Sequence, residues 1–357
     1  MPQSALVALG WDEDFAASFA PYAVTGHLPA RVARVDRGAC DLLPGSGPTR
    51  ASVDGGMLAA AAADPLAAPC TGDWAAVGVW PDGRATLAAV LPRRTAVVRA
   101  EASGTSRGQV LAANVDTVAV VLSLAAEPDL GRLERLLALA WESGARPVVV
   151  LTKSDLVSDA AVVRGEVVAA APGAEVLTLS AVTGDGYAAL APYITAGRTL
   201  ALVGTSGVGK STLANRLVGY SLLATREIRG DGKGRHTTTH RELVPLPDGG
   251  VLVDTPGLRG VGLTGAGAGV ERVFTDIEEL AGECRFADCG HAVEPGCAVL
   301  AAVECGELAE RRLDSYRKLL REVAWQHART DARLQAERRR EWKARGKAVR
   351  AAGVIRP

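Results

Sequence analysis

Residues 199–219 read TLALVGTSGVGKSTLANRLVG, and this stretch decides how the central part of the chain folds. The apolar run Thr199–Val203 has the length of a buried strand, and the closing TLANRLVG is helix-like. Between them, Gly204–Ser211 has the spacing G-x-x-x-x-G-K-S in the strand–loop–helix context that a P-loop requires. Such a loop turns backbone N–H groups toward phosphate oxygens, and the helix N-terminus adds positive potential. The stretch therefore predicts a phosphate-binding loop at the edge of an α/β sheet.

Several side chains of this loop suit a nucleoside triphosphate. Lys210 can reach the β- and γ-phosphates, and the hydroxyl of Ser211 is placed to ligate Mg²⁺. A glycine-rich turn with a coincidental Lys-Ser pair is the alternative, which the flanking strand and helix disfavour. The residues predicted to surround the phosphates and the ion are Gly204, Thr205, Ser206, Gly207, Val208, Gly209, Lys210, Ser211 and Thr212.

Two later segments complete the predicted phosphate site. In VLVDTPG, Asp254 ends an apolar strand and would hold Mg²⁺ through water, while the Gly257 N–H would meet the γ-phosphate. The intervening segment GDGKGRHTTT has no apolar anchor. We expect nucleotide to order this loop, with Thr238 or Thr239 closing onto Mg²⁺ and the γ-phosphate. A solvated loop without this role is the alternative.

A lysine–aspartate motif indicates which base is read. The strand-like PVVVL runs into LTKSD, so Thr152, Lys153, Ser154 and Asp155 are predicted to form the base site. A carboxylate can accept from N1–H and the exocyclic amine of guanine together, whereas adenine leaves it unpaired. The stem of Lys153 would lie along the purine face. These features predict guanine.

A second short loop supports guanine. LSAVTGDG follows the next predicted strand, and Ser180 with Ala181 matches the loop that touches the guanine carbonyl. TKSD is a weak signal by itself. Its position at one strand end, with Ser-Ala at the next, favours a base site over chance.

The order of the motifs is unusual. Base motif, Ser-Ala loop, P-loop, GDGKGRHTTT and DTPG follow one another, whereas the base motif comes last in most GTPases. Strand-length apolar runs alternate with a helical pattern at Leu130–Trp141, which predicts a largely parallel sheet with helices on both faces. A sheet whose termini lie close together tolerates joining them and opening elsewhere. We therefore predict a central α/β P-loop GTPase domain of circularly permuted topology over residues 109–268.

The rest of the chain has a different texture. After a lead-in of residues 1–24, short alternating runs predict a small antiparallel β-barrel over residues 25–100, in which the Ala-rich stretch 57–70 could be loop or helix. Residues 270–330 are mainly helical and contain a cysteine cluster. Residues 331–357 have nine Lys/Arg against three acids, which predicts either an RNA-binding tail or a solvated helix.

Composition excludes several classes of protein. Of 357 residues, 22% are charged and 48% apolar, and the zero formal net charge argues against a uniformly basic nucleic-acid binder. The longest apolar stretch is about half of the roughly 20 residues in a membrane-spanning helix. The start MPQSALVALGWDED lacks the basic region of a signal peptide. We expect a cytoplasmic protein with no membrane association, whose six cysteines form no disulfides.

The segment CRFADCGHAVEPGC contains a metal-binding pattern. Cys284, Cys289, His291 and Cys297 offer three thiolates and one imidazole, a tetrahedral set typical of structural Zn²⁺. Such a closed site ties together loops that lack a large core of their own. Buried unreactive thiols are the alternative, and catalytic zinc is disfavoured since no open position or general base is evident. Cys305 is expected to be a core residue outside the site.

The residue after DTPG bears on the rate of hydrolysis. It is Leu258, where many GTPases have a water-orienting glutamine. His236, beside the threonines of GDGKGRHTTT, is the candidate for positioning the attacking water, with a solvated residue or an RNA contact as alternatives. We predict slow intrinsic turnover that a partner stimulates.

With these residues placed, the chain resembles the RsgA (YjeQ/EngC) family of small-ribosomal-subunit biogenesis GTPases. The resemblance rests on GDW, QVLAANVD, TKSD, GTSGVGKS, GKGRHTTT, DTPG and FADCGHAVEPGCAV over nearly the whole chain. It implies an N-terminal OB-fold, a permuted GTPase domain that binds GTP and GDP with Mg²⁺, and a C-terminal zinc domain. It also implies late maturation of the small (30S) subunit, rRNA as the principal partner, and hydrolysis stimulated by that subunit. We expect a monomer.

Alternatives to this function stay open at this point. The family most often has Asn where Thr152 stands, although a hydroxyl can still brace the P-loop. Together with Leu258, this keeps open a nucleotide-gated RNA-binding or scaffold protein with negligible catalysis. An ATP-dependent kinase or ATPase is opposed by Asp155 and by the Ser-Ala loop.

Overall fold

The structure is a computed structural model that describes residues 2–100, 108–219, 241–247, 249–254 and 267–330. Four residues with predicted roles, and the basic tail, lie outside these ranges, so their roles stay predictions. These residues are His236, Thr238, Thr239 and Gly257. The predicted domain boundaries likewise stay predictions.

Five strands near the N-terminus close into a barrel. They are β1 (Leu28–Asp36), β2 (Ala39–Pro44), β3 (Thr49–Val53), β4 (Trp74–Val79) and β5 (Ala85–Val90). Their order is β1-β2-β3-β5-β4, and β4 pairs with β1 to close the ring. All neighbours are antiparallel except β3 and β5, which run parallel. The predicted barrel is confirmed, with one parallel pair that the long connection between these two strands permits.

Two helices precede the barrel and pack on it. They are α1 (Pro2–Ala8) and α2 (Glu13–Ala23). The carboxylate of Asp12 caps α2 by accepting from the Phe15 backbone N–H at 3.2 Å. The Phe15 ring then lies 5.7 Å, centroid to centroid, from the buried indole of Trp74 in β4. The lead-in is therefore helical and is held on the barrel by aromatic packing.

The Ala-rich stretch, for which the sequence left loop or helix open, is largely helical. Helix α3 (Gly55–Ala63) begins after Asp54, whose side chain accepts from the Gly56 N–H at 2.8 Å. A turn of 3-10 helix follows at Pro65–Ala67. None of the nine residues of α3 is buried, and Met57 alone of them packs against the barrel core.

A two-stranded ribbon connects the barrel to the central sheet. It pairs β6 (Ala96–Ala100) with β7 (Gly108–Ala113) in antiparallel register. The side chain of Arg31 in β1 donates to the backbone carbonyl of Asn114, just past β7, at 2.9 Å. Arg31 is 1% exposed, so this contact ties the barrel to the ribbon in a dry environment.

A six-stranded sheet forms the central layer. Its strands are β8 (Thr117–Ser123), β9 (Arg146–Thr152), β10 (Glu175–Thr178), β11 (Thr199–Val203), β12 (Glu242–Pro245) and β13 (Val251–Asp254). The order across the sheet is β10-β9-β8-β11-β13-β12, and all pairs are parallel except β12 with β13. The predicted largely parallel sheet is confirmed. The antiparallel edge strand β12 is an addition that the sequence did not indicate.

Helices cover both faces of this sheet, as predicted. Along β8, Val118 and Val120 face one core while Ala119 and Val121 face the other. Because both faces are buried, the strands read as continuous apolar runs. The helices that pack here are α4 (Leu130–Glu142) and α5 (Ala160–Ala170) on one side and α6 (Lys210–Val218) on the other.

The C-terminal segment is helical and is anchored on α4. Its helices are α7 (Ala268–Val273), α8 (Thr275–Ala281), α9 (Ala298–Glu304) and α10 (Glu310–Thr330). The guanidinium of Arg312 donates to the fully buried carboxylate of Glu134 on α4 at 3.1 Å and to Asp276 on α8 at 2.5 Å. These charge-assisted bonds join three helices that are far apart in sequence. Across the described ranges, no helix has both the length and the apolar character that crossing a bilayer would need.

Candidate nucleotide site and metal centre

The predicted nucleotide motifs all follow carboxyl ends of parallel strands. The base motif begins at the end of β9, the Ser-Ala loop follows β10, the P-loop follows β11, and Asp254 ends β13. Since these strands are parallel, their carboxyl ends lie at one edge of the sheet, where ligands of such folds bind. The topology therefore brings together motifs that span a hundred residues of chain. Only the strand position of Asp254 is described, not its side chain.

Most backbone carbonyls of the P-loop accept hydrogen bonds, whereas its backbone N–H groups are available. The ammonium of Lys210 donates to the carbonyl oxygens of Gly204 at 3.0 Å and Thr205 at 2.7 Å. Among the described residues, no acceptor faces the backbone N–H groups from Thr205 to Gly209. A run of unpaired N–H groups ahead of a helix N-terminus is an anion-binding concavity. The loop thus fits the phosphates of a nucleotide.

Two glycines of the loop are required by close approaches. Gly204 has φ +152°, and a Cβ there would lie 2.5 Å from the carbonyl oxygen of Val121. Gly209 has φ +97°, and a Cβ there would lie 3.2 Å from the hydroxyl oxygen of Thr152. A side chain at Gly204 would displace backbone, so the loop can only approach the sheet edge this closely with glycine.

The base motif is bonded directly to the P-loop. The hydroxyl of Thr152, which is 1% exposed, faces the carbonyl oxygens of Val208 at 2.5 Å and Leu122 at 3.0 Å. The ammonium of Lys153 donates to the carbonyl of Gly207 at 2.8 Å. The bond between the Thr152 hydroxyl and the Val208 carbonyl agrees with the expectation that a hydroxyl at this position can brace the P-loop.

Asp155 and the Ser-Ala loop also lie together. The Ser180 hydroxyl donates to the Asp155 carboxylate at 2.5 Å and accepts from the backbone N–H groups of Val182 and Thr183 at 3.2 and 3.1 Å. In the described part of the chain the intervening N–H of Ala181 has no acceptor. One carboxylate acceptor and one backbone donor are therefore presented side by side, which matches the edge of guanine. Ser154, which directly precedes Asp155, donates its N–H to the Leu179 carbonyl at 3.3 Å and supports the backbone of the motif.

Sequence reasoning missed Arg216 in α6. Its guanidinium donates to the carbonyl oxygens of Ala181 at 3.2 Å and Val182 at 3.4 Å. No motif marks this position, and only the folding of α6 beside the Ser-Ala loop brings it there. Ser211 and Thr212, in the first turn of the same helix, are exposed at the predicted phosphate site.

The four predicted metal ligands converge in the C-terminal segment. The ligand atoms of Cys284, Cys289, His291 and Cys297 all lie within 4.8 Å of one another. The Sγ atoms of Cys284 and Cys297 are 3.8 Å apart, and His291 Nδ1 lies 3.4 Å from Cys297 Sγ. A tetrahedral ion with Zn–S bonds of about 2.3 Å and Zn–N bonds of about 2.0 Å places such atoms about 3.8 and 3.5 Å apart. The residues fit Zn²⁺.

The pKa values of two cluster residues, His291 and Cys284, are shifted toward the protonation state that binds a metal. Burial lowers the pKa of His291, which keeps the imidazole neutral and able to bind a metal. Burial alone would raise the pKa of Cys284, but backbone N–H groups of Val299 and Ala298 bring it below its usual value and so favour the thiolate. Both effects suit a site that binds a cation.

The loop around His291 is organised by Glu294. Its carboxylate accepts from the backbone N–H groups of Ala292 at 2.7 Å, Val293 at 2.9 Å and Gly290 at 3.0 Å. The N–H groups of Ala292 and Val293 are the main cause that lowers the pKa of Glu294 to about 2. The carboxylate thereby holds His291, at φ +53°, in a left-handed conformation that a non-glycine residue rarely adopts.

The three cysteines outside the cluster differ in burial, and one of them, Cys305, is not where the sequence predicted. Cys305 is exposed at the end of α9, so its assignment to the core was wrong; the chain turns outward there to reach α10. Cys40 and Cys70 are buried in or beside the barrel, and burial raises the pKa of each thiol to about 12. No disulfide joins the six cysteines, all of which lie in the described ranges.

The chain is similar to known proteins. A sequence model described as RsgA GTPase matches residues 90–264. The chain is 56% identical to the "Small ribosomal subunit biogenesis GTPase RsgA" of Streptomyces avermitilis, over 97% of this chain and 93% of that protein. The chain belongs to the RsgA GTPase family. The chain is also 56% identical to the RsgA of Streptomyces coelicolor, over 98% of this chain and 95% of that protein.

Solved structures of RsgA-type proteins share the fold. YjeQ from Thermotoga maritima aligns with a TM-score of 0.58 at 26% identity, covering 84% of this chain and 99% of that one. YloQ, described as a circularly permuted GTPase, aligns with a TM-score of 0.56 at 26% identity, covering 84% and 95%. The permuted GTPase topology predicted from motif order is thereby confirmed for this RsgA family member, as is the GTPase assignment.

Proposed function

We propose that this protein is a GTP-hydrolysing assembly factor that acts in late maturation of the small ribosomal subunit. The single observation that carries the proposal is the identity of 56% over nearly the full chain with two proteins that are named for this role. The nucleotide site adds independent support, because a P-loop with available N–H groups lies beside a guanine-type carboxylate.

The nucleotide is held by residues from three loops. Lys210 neutralises the β- and γ-phosphates, and the backbone N–H groups from Thr205 to Gly209 surround them. Asp155 accepts from N1–H and the exocyclic amine of guanine, while the Ala181 N–H donates to its carbonyl. The Lys153 stem covers one face of the purine. This arrangement rejects adenine, whose edge would leave Asp155 and the Ala181 N–H unpaired.

Magnesium and the γ-phosphate are bound by hydroxyl and carboxylate oxygens. The Ser211 hydroxyl would ligate Mg²⁺, and Asp254 would hold the ion through water. Thr238 or Thr239, with the Gly257 N–H, closes the site when GTP is bound. His236 positions the attacking water in place of the glutamine that Leu258 replaces. These four assignments outside the described residues rest on the sequence motifs.

The role of His236 has a direct test. In single-turnover hydrolysis with GTP affinity measured separately, His236→Ala should slow the chemical step about 100-fold, the typical size of a general acid–base or positioning contribution. His27→Ala, which changes a half-buried histidine just before β1, is the matched control. A wild-type rate in the His236 variant would remove this residue from the mechanism.

The zinc cluster has a structural role in the proposal. With three thiolates and one imidazole, the four protein ligands complete a tetrahedral shell. Bound Zn²⁺ would hold the segment between α8 and α9, most of whose residues are exposed. The barrel, the zinc segment and the basic tail together present surfaces for the rRNA backbone, and the scarcity of aromatic residues, 4%, favours phosphate and shape contacts over base stacking.

Partner, compartment and assembly state follow from the role. The partner is the small ribosomal subunit through its rRNA, and the protein acts in the cytoplasm as a monomer. Light scattering of the purified protein at micromolar concentration tests the monomer, and a mass of twice 36.9 kDa would contradict it.

The enzymatic proposal is tested by multiple-turnover GTP hydrolysis with and without purified small subunits. We expect slow turnover alone and a large increase with small subunits but not with large subunits. Lys210→Ala should abolish both rates. If turnover stays negligible under all conditions while the protein still binds subunits, the protein is a nucleotide-gated scaffold instead.

Nucleotide gating is tested separately by co-sedimentation with small subunits in GDP or in a non-hydrolysable GTP analogue. We expect tighter association with the GTP analogue, because the loops that close on the γ-phosphate adopt a different arrangement. Equal association in the two states would contradict a switch. Excess ATP should not displace labelled GTP in a parallel competition.

A further inference from the structure

Arg216 joins the two halves of the nucleotide site. It is in the last turn of α6, the helix whose first residue is the P-loop lysine Lys210. Its Nη1 donates to the carbonyl oxygens of Ala181 at 3.2 Å and Val182 at 3.4 Å, which belong to the Ser-Ala loop. One helix of nine residues therefore carries a phosphate contact at one end and supports the base loop at the other.

One further contact, with Tyr187, holds the guanidinium in this place, and two features of its surroundings support it. The Arg216 Cζ lies over the Tyr187 ring, 5.2 Å from its centroid. The Tyr187 hydroxyl donates to the Leu213 carbonyl of α6 at 3.0 Å, and burial raises the pKa of Tyr187, so the hydroxyl keeps its proton. A Cβ at Gly184, which has φ +94°, would lie 2.4 Å from Arg216 Nη2. The absence of a side chain at Gly184 thus lets the guanidinium lie against the loop.

Inside the loop, hydrogen bonds occupy the backbone N–H groups on either side of Ala181. The Ser180 hydroxyl accepts from the N–H groups of Val182 and Thr183, and the Gly184 N–H bonds back to the Ser180 carbonyl at 2.9 Å. The Ala181 N–H has no acceptor within the described ranges. The Ala181 N–H lies in the peptide plane between Ser180 and Ala181. The Arg216 bond to the Ala181 carbonyl fixes the next peptide plane, between Ala181 and Val182, and so restrains the backbone of Ala181.

We propose that Arg216 is a positioning residue for guanine recognition: by holding the Ala181 and Val182 carbonyls, it aims the Ala181 N–H at O6 of the base. The inference rests on the proposed function, since it requires guanine in this site. Arg216 touches neither the base nor the phosphates in this role. Its effect is on selectivity at one atom of the purine.

Two analogues of GDP separate this role from a general loss of structure. 6-Thio-GDP keeps N1–H and the exocyclic amine that Asp155 reads, but replaces O6 by sulfur, a weaker acceptor. IDP keeps O6 and lacks the exocyclic amine. The preference for GDP over 6-thio-GDP therefore reports the Ala181 contact, and the preference for GDP over IDP reports the Asp155 contact.

The test measures affinities of the three diphosphates for the full-length zinc-loaded protein and for Arg216→Met, which keeps length without donors. We expect the preference for GDP over 6-thio-GDP to fall about three- to tenfold, the size of one hydrogen bond. The preference for GDP over IDP should change less than about twofold. Arg216→Lys, which retains a charged donor, should recover part of the lost preference.

Arg164→Met is the matched control. Arg164 on α5 donates to the Val176 carbonyl of β10 at 3.3 Å, a similar bond that lies away from the Ser-Ala loop. It should leave both preferences unchanged. The proposal is overturned if Arg216→Met lowers all three affinities by the same factor, or changes none. Failure of the wild-type protein to prefer GDP over ADP would instead contradict the proposed function.

Discussion

The hydroxyl oxygen of Thr152 lies 2.5 Å from the carbonyl oxygen of Val208, so the base motif at the end of β9 is hydrogen-bonded to the P-loop at the end of β11. In sequence, α5, β10 and β11 lie between the two residues, and in the sheet β8 lies between their strands. Most members of the family are expected to have asparagine at the first of these positions. Here a shorter side chain makes the connection, because Gly209 lets the loop come within contact distance.

Replacing Thr152 by valine should weaken nucleotide binding. The change keeps the shape and removes the one donor to the Val208 carbonyl among the described residues. One net hydrogen bond of about 1 kcal/mol corresponds to about a fivefold loss of GDP affinity. Thr152→Asn, which keeps donors, should bind GDP at least as well as wild type. Titration with a fluorescent GDP analogue measures all three proteins.

Thr199→Val is the control for that comparison. Thr199 is also fully buried, on the P-loop strand, and its hydroxyl has no partner among the described residues. Removing it should leave GDP affinity unchanged and stability unchanged or improved. Equal affinities of the Thr152 and Thr199 valine variants would contradict a bracing role for Thr152.

Replacing Asp155 by asparagine should change the base that is read. The amide presents one acceptor and one donor, which suits xanthine, with an oxygen at C2, instead of guanine. Loss of a hydrogen bond to a charged group should lower GDP affinity about 10- to 100-fold, while xanthosine diphosphate binding rises. Asp159→Asn, at an exposed position whose side chain makes no capping bond, is the control. A variant that binds the two diphosphates as wild type does would place the base elsewhere.

Removing a cluster thiol should release zinc and destabilise the C-terminal segment. Purified protein is expected to contain one zinc per chain, and Cys284→Ser should contain little, because a hydroxyl is a poor zinc ligand. Its thermal unfolding should begin earlier, with the segment from α8 to α10 losing protection from hydrogen exchange first. Cys305→Ser, which changes an exposed thiol outside the cluster, should retain zinc and stability. Metal content by atomic emission decides between the outcomes.

The stability that Glu294 contributes should depend on pH in a defined window. Its pKa is lowered to about 2 from an ordinary 4.5 in the folded protein, so the folded state favours the carboxylate. The contribution is present in full above pH 4.5 and is lost as the pH falls from 4.5 toward about 2. The difference in melting temperature between wild type and Glu294→Gln, with zinc in excess, should therefore be largest near neutral pH and shrink below pH 4.5.

A matched variant separates this effect from a general charge effect. Glu283→Gln changes an exposed acid of the same segment. The difference in melting temperature between wild type and Glu283→Gln should not shrink as the pH falls below 4.5. A melting difference for Glu294→Gln that stays constant from pH 7 to pH 3 would contradict the assignment.

The motif residues of the nucleotide and zinc sites could be predicted from the sequence, whereas the residues that support them could not. The P-loop, base motif and zinc cluster are local patterns, in which spacing along the chain already places the reactive groups close together. Arg216 and Glu294 carry no such pattern. Arg216 acts because α6 packs beside the loop after β10, and Glu294 acts because its loop turns back on itself. Cys305 was misassigned because the sequence does not indicate where the buried part of α9 ends and its solvent-exposed C-terminus begins.

By itself, the sequence determined the permuted GTPase sheet, the nucleotide it reads and the metal it binds, because strand-terminal motifs and ligand spacings are short-range properties of the chain. Only the tertiary structure decided how these sites are connected. The Thr152–Val208 bond joins the base motif to the P-loop, and the buried Glu134–Arg312 pair joins α4 to the C-terminal helices. Such contacts depend on which elements become neighbours when both faces of the sheet are buried, and no spacing along the chain encodes that.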